Sequence, residues 1–450
     1  MLATSVDKMI FFLLLFFLGS QLYMKGQEGF ELPGGTKKDK IKFELVNNLV
    51  IIPVELNGTK LSFLLDTGVN TTLVFSIAEN DSLNLNNAIP TKIRGLGAGG
   101  SIDALESKNN TLQVGEAIDK THSLYVIFDE SLNFSSRMGV PVHGILGYDF
   151  FKNFVVKTDY TSKKLTLYNP KTFIRQPWRK HEAFDLEFTA NKPFVTVKIS
   201  EENGLQNIPL LIDSGSSDGL WLFREKNYIS ETPKNYFDDF LGLGLSGNIF
   251  GKRSKIDEVV IGEYRLKNVS ASFPNQEALR NIVFFKHRHG SIGAAILKRF
   301  TVFMDYKNGK MYLKKNSNFS KPFYYNMAGI TLQHDGTVTV KDVQDFRTGS
   351  LNLSQSDRNN GSITIPVSPT YSFFLAPRIV IAELRVNSPG AQAGLKKGDE
   401  VVSVNNKLAY KYKLYELSAL FSSKENKTIY MVVERDGKQI KKKFKLRRIL

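Results

Sequence analysis

Residues 61–68 read LSFLLDTG, an apolar run that ends in an aspartate, a hydroxyl residue and a glycine. Residues 208–215 read IPLLIDSG and repeat this pattern. A short apolar run followed by a glycine-containing turn is typical of a buried strand that ends at the turn. The sequence therefore predicts that Asp66 and Asp213 each lie at the end of a buried strand.

The repetition extends beyond these two turns. GILGYDFFKNF at residues 144–154 has its counterpart in GSIGAAILKRF at residues 290–300, and VVKTDY at 155–160 corresponds to TVFMDY at 301–306. The interval is 147 residues between the two acids, 146 between Gly147 and Gly293, and 146 between Asp159 and Asp305. A nearly constant interval across three markers predicts two duplicated lobes.

Composition and charge limit the class of protein. The 450 residues are 42% hydrophobic and include no cysteine, which excludes disulfides and thiolate metal sites. The net charge of +16 is spread along the chain and is interpreted as a solvated surface. No zinc-ligand spacing, basic zipper or phosphate loop supports a nucleic-acid partner. Weak association with an anionic membrane surface is the alternative use of this charge.

The N-terminus carries a targeting pattern. Lys8 is followed by MIFFLLLFFL and then Gly19-Ser20. This apolar run is short for a bilayer span, so residues 1–26 are predicted to be a signal peptide, with an uncleaved N-terminal anchor as the alternative. Either way the chain is expected to be exported, and the lack of cysteine favours a bacterial periplasm or the extracellular space.

The C-terminal part has its own signature. SPGAQAGLKKGD at residues 388–399 precedes a predicted strand at 400–404, a helix at 414–421, a strand at 428–435 and an Asp436-Gly437 hairpin turn. This pattern resembles a PDZ domain over roughly residues 325–450. The resemblance implies that a protein C-terminus binds as an added strand, its carboxylate held by a loop that contains Ala328, Gly329 and Ile330.

The paired acid turns, each with a later apolar-apolar-glycine segment, resemble retropepsin-like and pepsin-like aspartic proteases. The closest resemblance is to the bacterial retropepsin-like proteases that carry a C-terminal PDZ domain. It implies a mainly β protein with two duplicated β-barrel lobes that form one cleft, at residues 41–170 and 171–315, followed by an α+β PDZ domain at 325–450.

The resemblance assigns Asp66 and Asp213 as the catalytic pair of an aspartic endopeptidase, with a peptide or protein as substrate. Thr67 and Ser214 would hold the turns in register, and Gly68 and Gly215 would allow close approach of the backbone. Two adjacent carboxylates cannot both ionise cheaply, so one acts as base and the other as acid. This chemistry requires no metal or organic cofactor.

Two glycine-rich stretches are candidates for flaps that cover a substrate. The first contains Gly97 and Gly99, and the second contains Gly244 and Gly247. Val69 is larger than the Ala or Ser that usually follows the first triplet in the resembled family, and no pepsin-type flap tyrosine is evident.

The sequence gives weaker support to three alternatives: a serine protease, a metal site and a peptide-binding scaffold. A serine protease is disfavoured because none of the six histidines lies in the Ala-Ala-His setting of that class. His287 and His289 are predicted to be surface residues and not metal ligands. The alternative from a different class is a catalytically inactive, protease-like scaffold that binds peptides.

Overall fold

The computed structural model describes residues 29–75, 83–95, 100–129, 132–173, 181–202, 204–223, 233–279, 289–344 and 370–450. The predicted signal peptide, Gly97, Gly99 and His287 lie outside these residues. Within the described part of the chain, no helix is long and apolar enough to cross a membrane.

The first lobe is built almost entirely from strands. They are β1 (Lys38–Lys42), β2 (Glu44–Val46), β3 (Leu49–Leu56), β4 (Thr59–Leu65), β5 (Thr72–Val74), β6 (Ile89–Ile93), β7 (Ile102–Val114), β8 (Ala117–Ile127), β9 (Gly144–Leu146), β10 (Val155–Asp159) and β11 (Lys164–Tyr168), with helices α1 (Phe134–Met138) and α2 (Tyr148–Phe151). Eight of these strands form one sheet in the order β2-β3-β4-β9-β5-β8-β7-β6.

The second lobe repeats this plan. Its elements are β12 (Glu182–Asp185), β13 (Glu187–Thr189), β14 (Lys192–Glu201), β15 (Gly204–Asp213), β16 (Leu220–Leu222), β17 (Phe237–Gly244), β18 (Gly247–Ile261), β19 (Tyr264–Pro274), β20 (Gly290–Gly293), β21 (Phe300–Asp305) and β22 (Lys310–Lys315), with α3 (Gln276–Leu279) and α4 (Ala294–Leu297). The sheet order β13-β14-β15-β20-β16-β19-β18-β17 matches the first lobe strand for strand.

A six-stranded sheet joins the two lobes, in the order β1-β11-β10-β21-β22-β12. Its central pair is β10 and β21, which run antiparallel with Val155 opposite Asp305 and Asp159 opposite Thr301. Each lobe contributes one hairpin, β10–β11 in the first lobe and β21–β22 in the second. The duplicated Asp-Tyr pair lies at the end of the first strand of each hairpin. One continuous buried cluster therefore runs through both lobes, with members such as Phe63 and Leu210.

The C-terminal module has a separate core. Its elements are β23 (Ile330–Gln344), β24 (Thr370–Leu384), α5 (Pro389–Gln392), β25 (Glu400–Val404), β26 (Lys407–Leu408), a 3-10 helix (Ala409–Lys411), α6 (Leu414–Phe421), β27 (Thr428–Arg435) and β28 (Lys438–Lys445). Leu417 and Phe421 of α6 are fully buried against the sheet. The predicted mainly β fold, with two duplicated lobes and a C-terminal PDZ-like module, is confirmed.

Hairpin turns fix the register of several of these strands. Asn57 and Gly58, with φ of 47 and 86°, connect β3 to β4. Asp436 and Gly437, at 51 and 72°, connect β27 to β28. Two consecutive positive φ angles characterise the tight turn that matches the twist of paired strands, and Asn-Gly and Asp-Gly adopt it readily.

Candidate active site

Each acid turn, residues 66–68 or 213–215, is held by a strand inserted into the middle of its sheet. β9 runs parallel to β4, and the Asp66 N–H donates to the Leu146 carbonyl at 3.0 Å. β20 runs parallel to β15 in the same way, with Asp213 opposite Gly293. These parallel pairings in mixed sheets leave the two acids at buried strand ends, as the sequence predicts.

The two acid turns are locked to each other by four hydrogen bonds. The Thr67 hydroxyl donates to the Ile212 carbonyl at 2.6 Å and accepts from the Ser214 N–H at 3.0 Å. The Ser214 hydroxyl donates to the Leu65 carbonyl at 2.9 Å and accepts from the Thr67 N–H at 3.0 Å. Both side chains are buried, so each hydroxyl uses its donor and acceptor capacity across the junction.

Close approach of the carboxylates explains the glycines. A Cβ at position 68 would lie 3.1 Å from Asp66 Oδ1 and 3.2 Å from Asp213 Oδ1. A Cβ at position 215 would overlap the Asp66 carboxylate. Both acids thus face the backbone of these glycines, and the Gly68 N–H donates to Asp66 Oδ1 at 2.7 Å.

The environment keeps one proton on this pair near neutral pH. Burial and, next, the negative charge of Asp213 raise the pKa of Asp66 to about 7. The Gly68 N–H, the positive charge of Lys192 and the Gly215 N–H act in the opposite direction. Below this pKa one carboxyl can donate a proton while its neighbour accepts one, which is the arrangement that acid–base hydrolysis requires.

One turn in each lobe places a polar residue near the acid turn of the other lobe. Asn48, with φ of 75°, donates through Nδ2 to the Ser217 carbonyl at 2.8 Å and accepts from Lys298 Nζ at 2.6 Å. Burial, followed by repulsion from nearby cations, lowers the pKa of Lys298 to about 8. The matching turn of the second lobe ends at Lys192, whose charge acts on Asp66.

An aromatic group that includes Tyr306 lies near the pair. Its ring stacks on Phe151 at 5.3 Å and lies 5.9 Å from Tyr148. Burial, with the nearby charge of Asp66 as a further cause, raises the pKa of Tyr306 well above its ordinary value. Tyr306 therefore stays neutral and provides a rigid, apolar support.

The flap candidates of the second lobe form the tip of the β17–β18 hairpin. Gly244 pairs with Gly247 across a two-residue turn, and Gly247 has φ of 102°. This tip meets the first lobe, because the Gly95 N–H donates to Ser246 Oγ at 3.3 Å and Ser246 Oγ donates to the Gly100 carbonyl at 3.3 Å. A Cβ at position 95 would overlap the Leu245 side chain.

The large residue after the first triplet is accommodated by packing. Val69, Leu243 and Leu245 all pack against a buried cluster that includes Leu64 and Phe75. The Val69 carbonyl accepts from the Tyr148 N–H at 2.9 Å. In the second lobe the Ser216 carbonyl accepts from the Ala294 N–H at 2.7 Å. The backbone after both triplets is thus held equivalently despite the different side chains.

A serine nucleophile finds no support in the hydrogen bonds of Ser214, which are used to join the acid turns. A Thr-His-Asp chain does exist elsewhere: His122 Nδ1 lies 2.8 Å from Asp119 Oδ2, and Nε2 lies 2.7 Å from Thr72 Oγ1. All three residues are buried. They connect β5 to β8 inside the first lobe, so the group is structural.

The prediction that His289 is a surface residue is wrong, because its side chain is only 4% exposed. Its carbonyl accepts from the Phe223 N–H at 2.9 Å, which places the residue against the end of β16. Among the described residues, no group of three or more His, Asp or Glu side chains could hold a metal ion.

The predicted carboxylate-binding loop lies at the start of β23, beside the end of α6. Ala328, Gly329 and Ile330 are buried there, and Gly329 has φ of 72°. The Met327 N–H donates to the Phe421 carbonyl at 2.9 Å, and the Gly329 N–H donates to Asn326 Oδ1 at 2.9 Å. The loop therefore makes internal hydrogen bonds that a ligand must replace.

The sequence alone did not identify several residues near the acids, nor the residues that contact the PDZ module's first strand. Tyr306 belongs to a recognised Asp-Tyr repeat, which marked the duplication but not its proximity to Asp66. Asn48 lies in the β2–β3 turn, and Lys192 directly follows the equivalent β13–β14 turn, so aligning the two halves could have indicated this region. Asn326 and helix α1 carry no local signal.

Comparisons with known proteins agree with this architecture. Residues 52–150 match the aspartyl protease family, and residues 380–435 match the PDZ domain family. A search of curated proteins finds no significant match to the chain. The chain therefore contains an aspartyl protease domain and a PDZ domain. The first match ends within α2, and the second lobe is related to it here by its identical strand order.

Proposed function

We propose that the protein is an exported aspartic endopeptidase that hydrolyses peptide bonds with Asp66 and Asp213, and that its PDZ module binds a peptide or a protein C-terminus. The observation that carries the proposal is the pair of interlocked acid turns, in which Asp213 helps to raise the pKa of Asp66 to about 7. Export rests on the N-terminal sequence pattern alone.

The chemistry follows from the shared proton. The ionised carboxylate removes a proton from a water molecule as that water attacks the carbonyl carbon of the peptide. The protonated carboxyl donates its proton to the carbonyl oxygen, which stabilises the tetrahedral intermediate. Collapse of this intermediate with proton transfer to the nitrogen releases the amine and the new carboxyl terminus. The acids carry out both steps without any further group.

The surrounding residues position this pair. Thr67 and Ser214 fix the separation of the two turns, and Gly68 and Gly215 leave room for the carboxylates. The tip of the β17–β18 hairpin contacts the first lobe through Ser246, which hydrogen-bonds to Gly95 and Gly100. In this proposal an extended substrate lies between the acid turns and the hairpin tip, which would exclude bulk water from the reaction.

Cleavage of an unbiased peptide library by the mature chain, between pH 3 and 8, tests the proposal. Asp66→Asn and Asp213→Asn should each abolish cleavage. Asp103→Asn is a matched control, because the Asp103 side chain is 87% exposed in a surface pair with Lys92. The Asp103→Asn protein should cleave peptides normally. Equal cleavage by all four proteins would show that another centre acts.

A peptide-binding scaffold without turnover is the second candidate. The hydrogen bonds of Ser246 with Gly95 and with Gly100 favour it, because they hold the hairpin tip against the first lobe. In that case the library would be bound but not cut by the parent chain at every pH.

A further inference from the structure

The PDZ module contacts the protease lobes through helix α1, and the contact falls on its own peptide groove. Among the described strands, β23 is the terminal strand of the module's sheet and pairs only with β24, and α6 contacts β23. An added strand would occupy the space between the other edge of β23 and α6. Helix α1 of the first lobe lies against β23 at this place.

Specific contacts seat α1 at the outer end of the groove. The Ser136 hydroxyl donates to the His334 carbonyl of β23. A Cβ at position 139, directly after α1, would lie 2.7 Å from Leu414 Cγ at the first turn of α6. Helix α1 therefore touches both walls of the groove, and an extended peptide cannot occupy the same volume.

The inner end of the groove is filled by a side chain of the module itself. Asn326 Oδ1 accepts from the Gly329 N–H at 2.9 Å, and Asn326 Nδ2 donates to the Ile330 carbonyl at 2.7 Å. A chain end that added to β23 would need this same donor for its carboxylate and this same acceptor for its last N–H. The Asn326 side-chain amide thus makes the hydrogen bonds that the terminal carboxylate and last N–H of a bound peptide would make.

Helix α1 also connects the groove to the protease. Phe134 packs on Phe75 with ring centroids 4.8 Å apart, in a cluster against which Val69, the residue after the first acid turn, also packs. On another side, the Arg137 guanidinium lies 5.4 Å from the ring centroid of Phe240 in β17. The helix is therefore shared by the first lobe, the β17–β18 hairpin and the PDZ module.

The module holds the same hairpin by a second contact. Arg385 lies 4.2 Å from the ring centroid of Phe237 and 3.7 Å from Asp239, which also accepts from Arg253 Nε at 3.0 Å. Tyr325 packs on Phe237 at 5.2 Å. Movement of the module away from α1 would therefore act on the hairpin whose tip closes against Gly95.

We propose that α1 and Asn326 keep the PDZ groove shut, and that a protein C-terminus with an apolar last residue displaces them and loosens the β17–β18 hairpin. The ligand class follows from the groove's inner end, where Met327, Leu417 and Phe421 belong to the buried apolar cluster. Ligand binding then weakens the contacts that hold the hairpin closed, which admits the substrate more readily, so a chain end activates cleavage. This inference rests on the proposed protease and peptide-binding functions.

The test uses the full mature chain and fluorescent decapeptides that end in Ala, Val, Leu or Phe with a free carboxylate, with the C-terminal amides as controls. Ser136→Ala removes one hydrogen bond that holds α1, so it should tighten binding of a free-carboxylate peptide by about 2- to 10-fold. Ser162→Ala, an exposed serine in the β10–β11 turn, is the matched control and should leave binding unchanged.

Activity is read with a quenched internal substrate whose C-terminus is amidated. A saturating free-carboxylate peptide should raise kcat/KM for this substrate at least about threefold, and should speed amide hydrogen exchange at residues 134–139. The amide peptides should do neither. Ser136→Ala should show a higher basal kcat/KM than Ser162→Ala.

The outcomes separate this inference from the proposed function. If the substrate is cut but chain-end peptides fail to bind, or bind without changing exchange or kcat/KM, the inference is wrong and the protease remains. If nothing is cut, the proposed enzyme is wrong. Binding and exchange in Asp66→Asn then still decide whether α1 guards the groove, because they do not require turnover.

Discussion

The two lobes share a backbone plan but differ in the charges around their acids. Both acid turns follow matching strands, and both are tied by equivalent hydrogen bonds to the helix that follows the inserted strand. Burial and Asp213 raise the pKa of Asp66, while Lys192 from the second lobe opposes this shift. The corresponding turn of the first lobe carries Asn48, which is neutral and donates to the Ser217 carbonyl just after the second acid turn. The duplication therefore gives the two aspartates the same backbone geometry. The different residues around them allow one aspartate to act as the base and the other as the acid.

The largest expected effect comes from breaking the pair itself. Asp66→Asn and Asp213→Asn should each lower kcat by about 10³-fold or more, because each removes an acid–base partner. The double variant should lose little more than either single variant, since the acids act as one unit. Single-turnover rates of the three proteins would measure this.

A double variant that loses as much as the product of the single losses would contradict the shared role. Asp103→Asn, measured in parallel, controls for a general effect of removing an acid.

The next effect concerns the hydroxyls that join the lobes. Thr67→Val removes the donor to Ile212 and the acceptor for the Ser214 N–H, and leaves both buried partners unpaired. We expect a loss of about 2–3 kcal/mol in the free energy of unfolding, measured with urea. Thr67→Ser keeps the hydroxyl and should retain most of this stability.

Ser214→Ala should cost about as much, because Ser214 makes the equivalent bonds in the other direction. A stable Thr67→Val protein beside an unstable Ser214→Ala protein would show that one lobe alone holds the junction.

The burial of Asp66 should make the stability of the folded chain depend on pH. The pKa of Asp66 is about 7 in the folded chain and near 3.8 when unperturbed, so the folded state retains a proton that the unfolded state has lost between these values. Stability from this group therefore falls as the pH rises from about 4 to about 7. Asp66→Asn should stabilise the chain by roughly 1–3 kcal/mol at pH 8 and by nearly nothing at pH 4. Urea midpoints at both pH values test this, and an equal gain at both would contradict it.

The smallest effect distinguishes the two lysines beside the acid turns. Lys192→Met removes a positive charge that lowers the pKa of Asp66, so the alkaline limb of kcat/KM should move to higher pH by a fraction of a unit. Lys298→Met should leave this limb in place, because Lys298 acts through Asn48 on the other turn. Identical shifts in both variants would show that general charge, and not position, is responsible.

Local patterns were sufficient for much of the fold. The predicted strand at 400–404, helix at 414–421 and strand at 428–435 have the bounds that the structure shows. Apolar periodicity and the Asp436-Gly437 turn encode them within a few residues. The duplicated lobes were also predictable, because repetition along the chain implies repetition in space.

The rest depends on contacts between distant parts of the chain. Lys192 of the second lobe acts on Asp66 of the first only because the fold brings the two lobes together. Asn326 matters because its side chain folds back onto β23, and α1 matters because the PDZ module lies against it. The basic context of His289 predicts a surface residue, whereas its place directly before β20 and beside the end of β16 buries it. No single stretch of sequence contains that information.

Direct titration of the acids is the measurement that tests the central claim most directly. With ¹³C-labelled aspartate, the carboxyl signal of Asp66 should titrate near pH 7 in the parent chain and at a lower pH in Asp213→Asn, since the repelling charge is gone. The alkaline limb of kcat/KM should follow the parent value. An Asp66 signal that titrates near pH 4 in both proteins would contradict a proton shared between the two lobes.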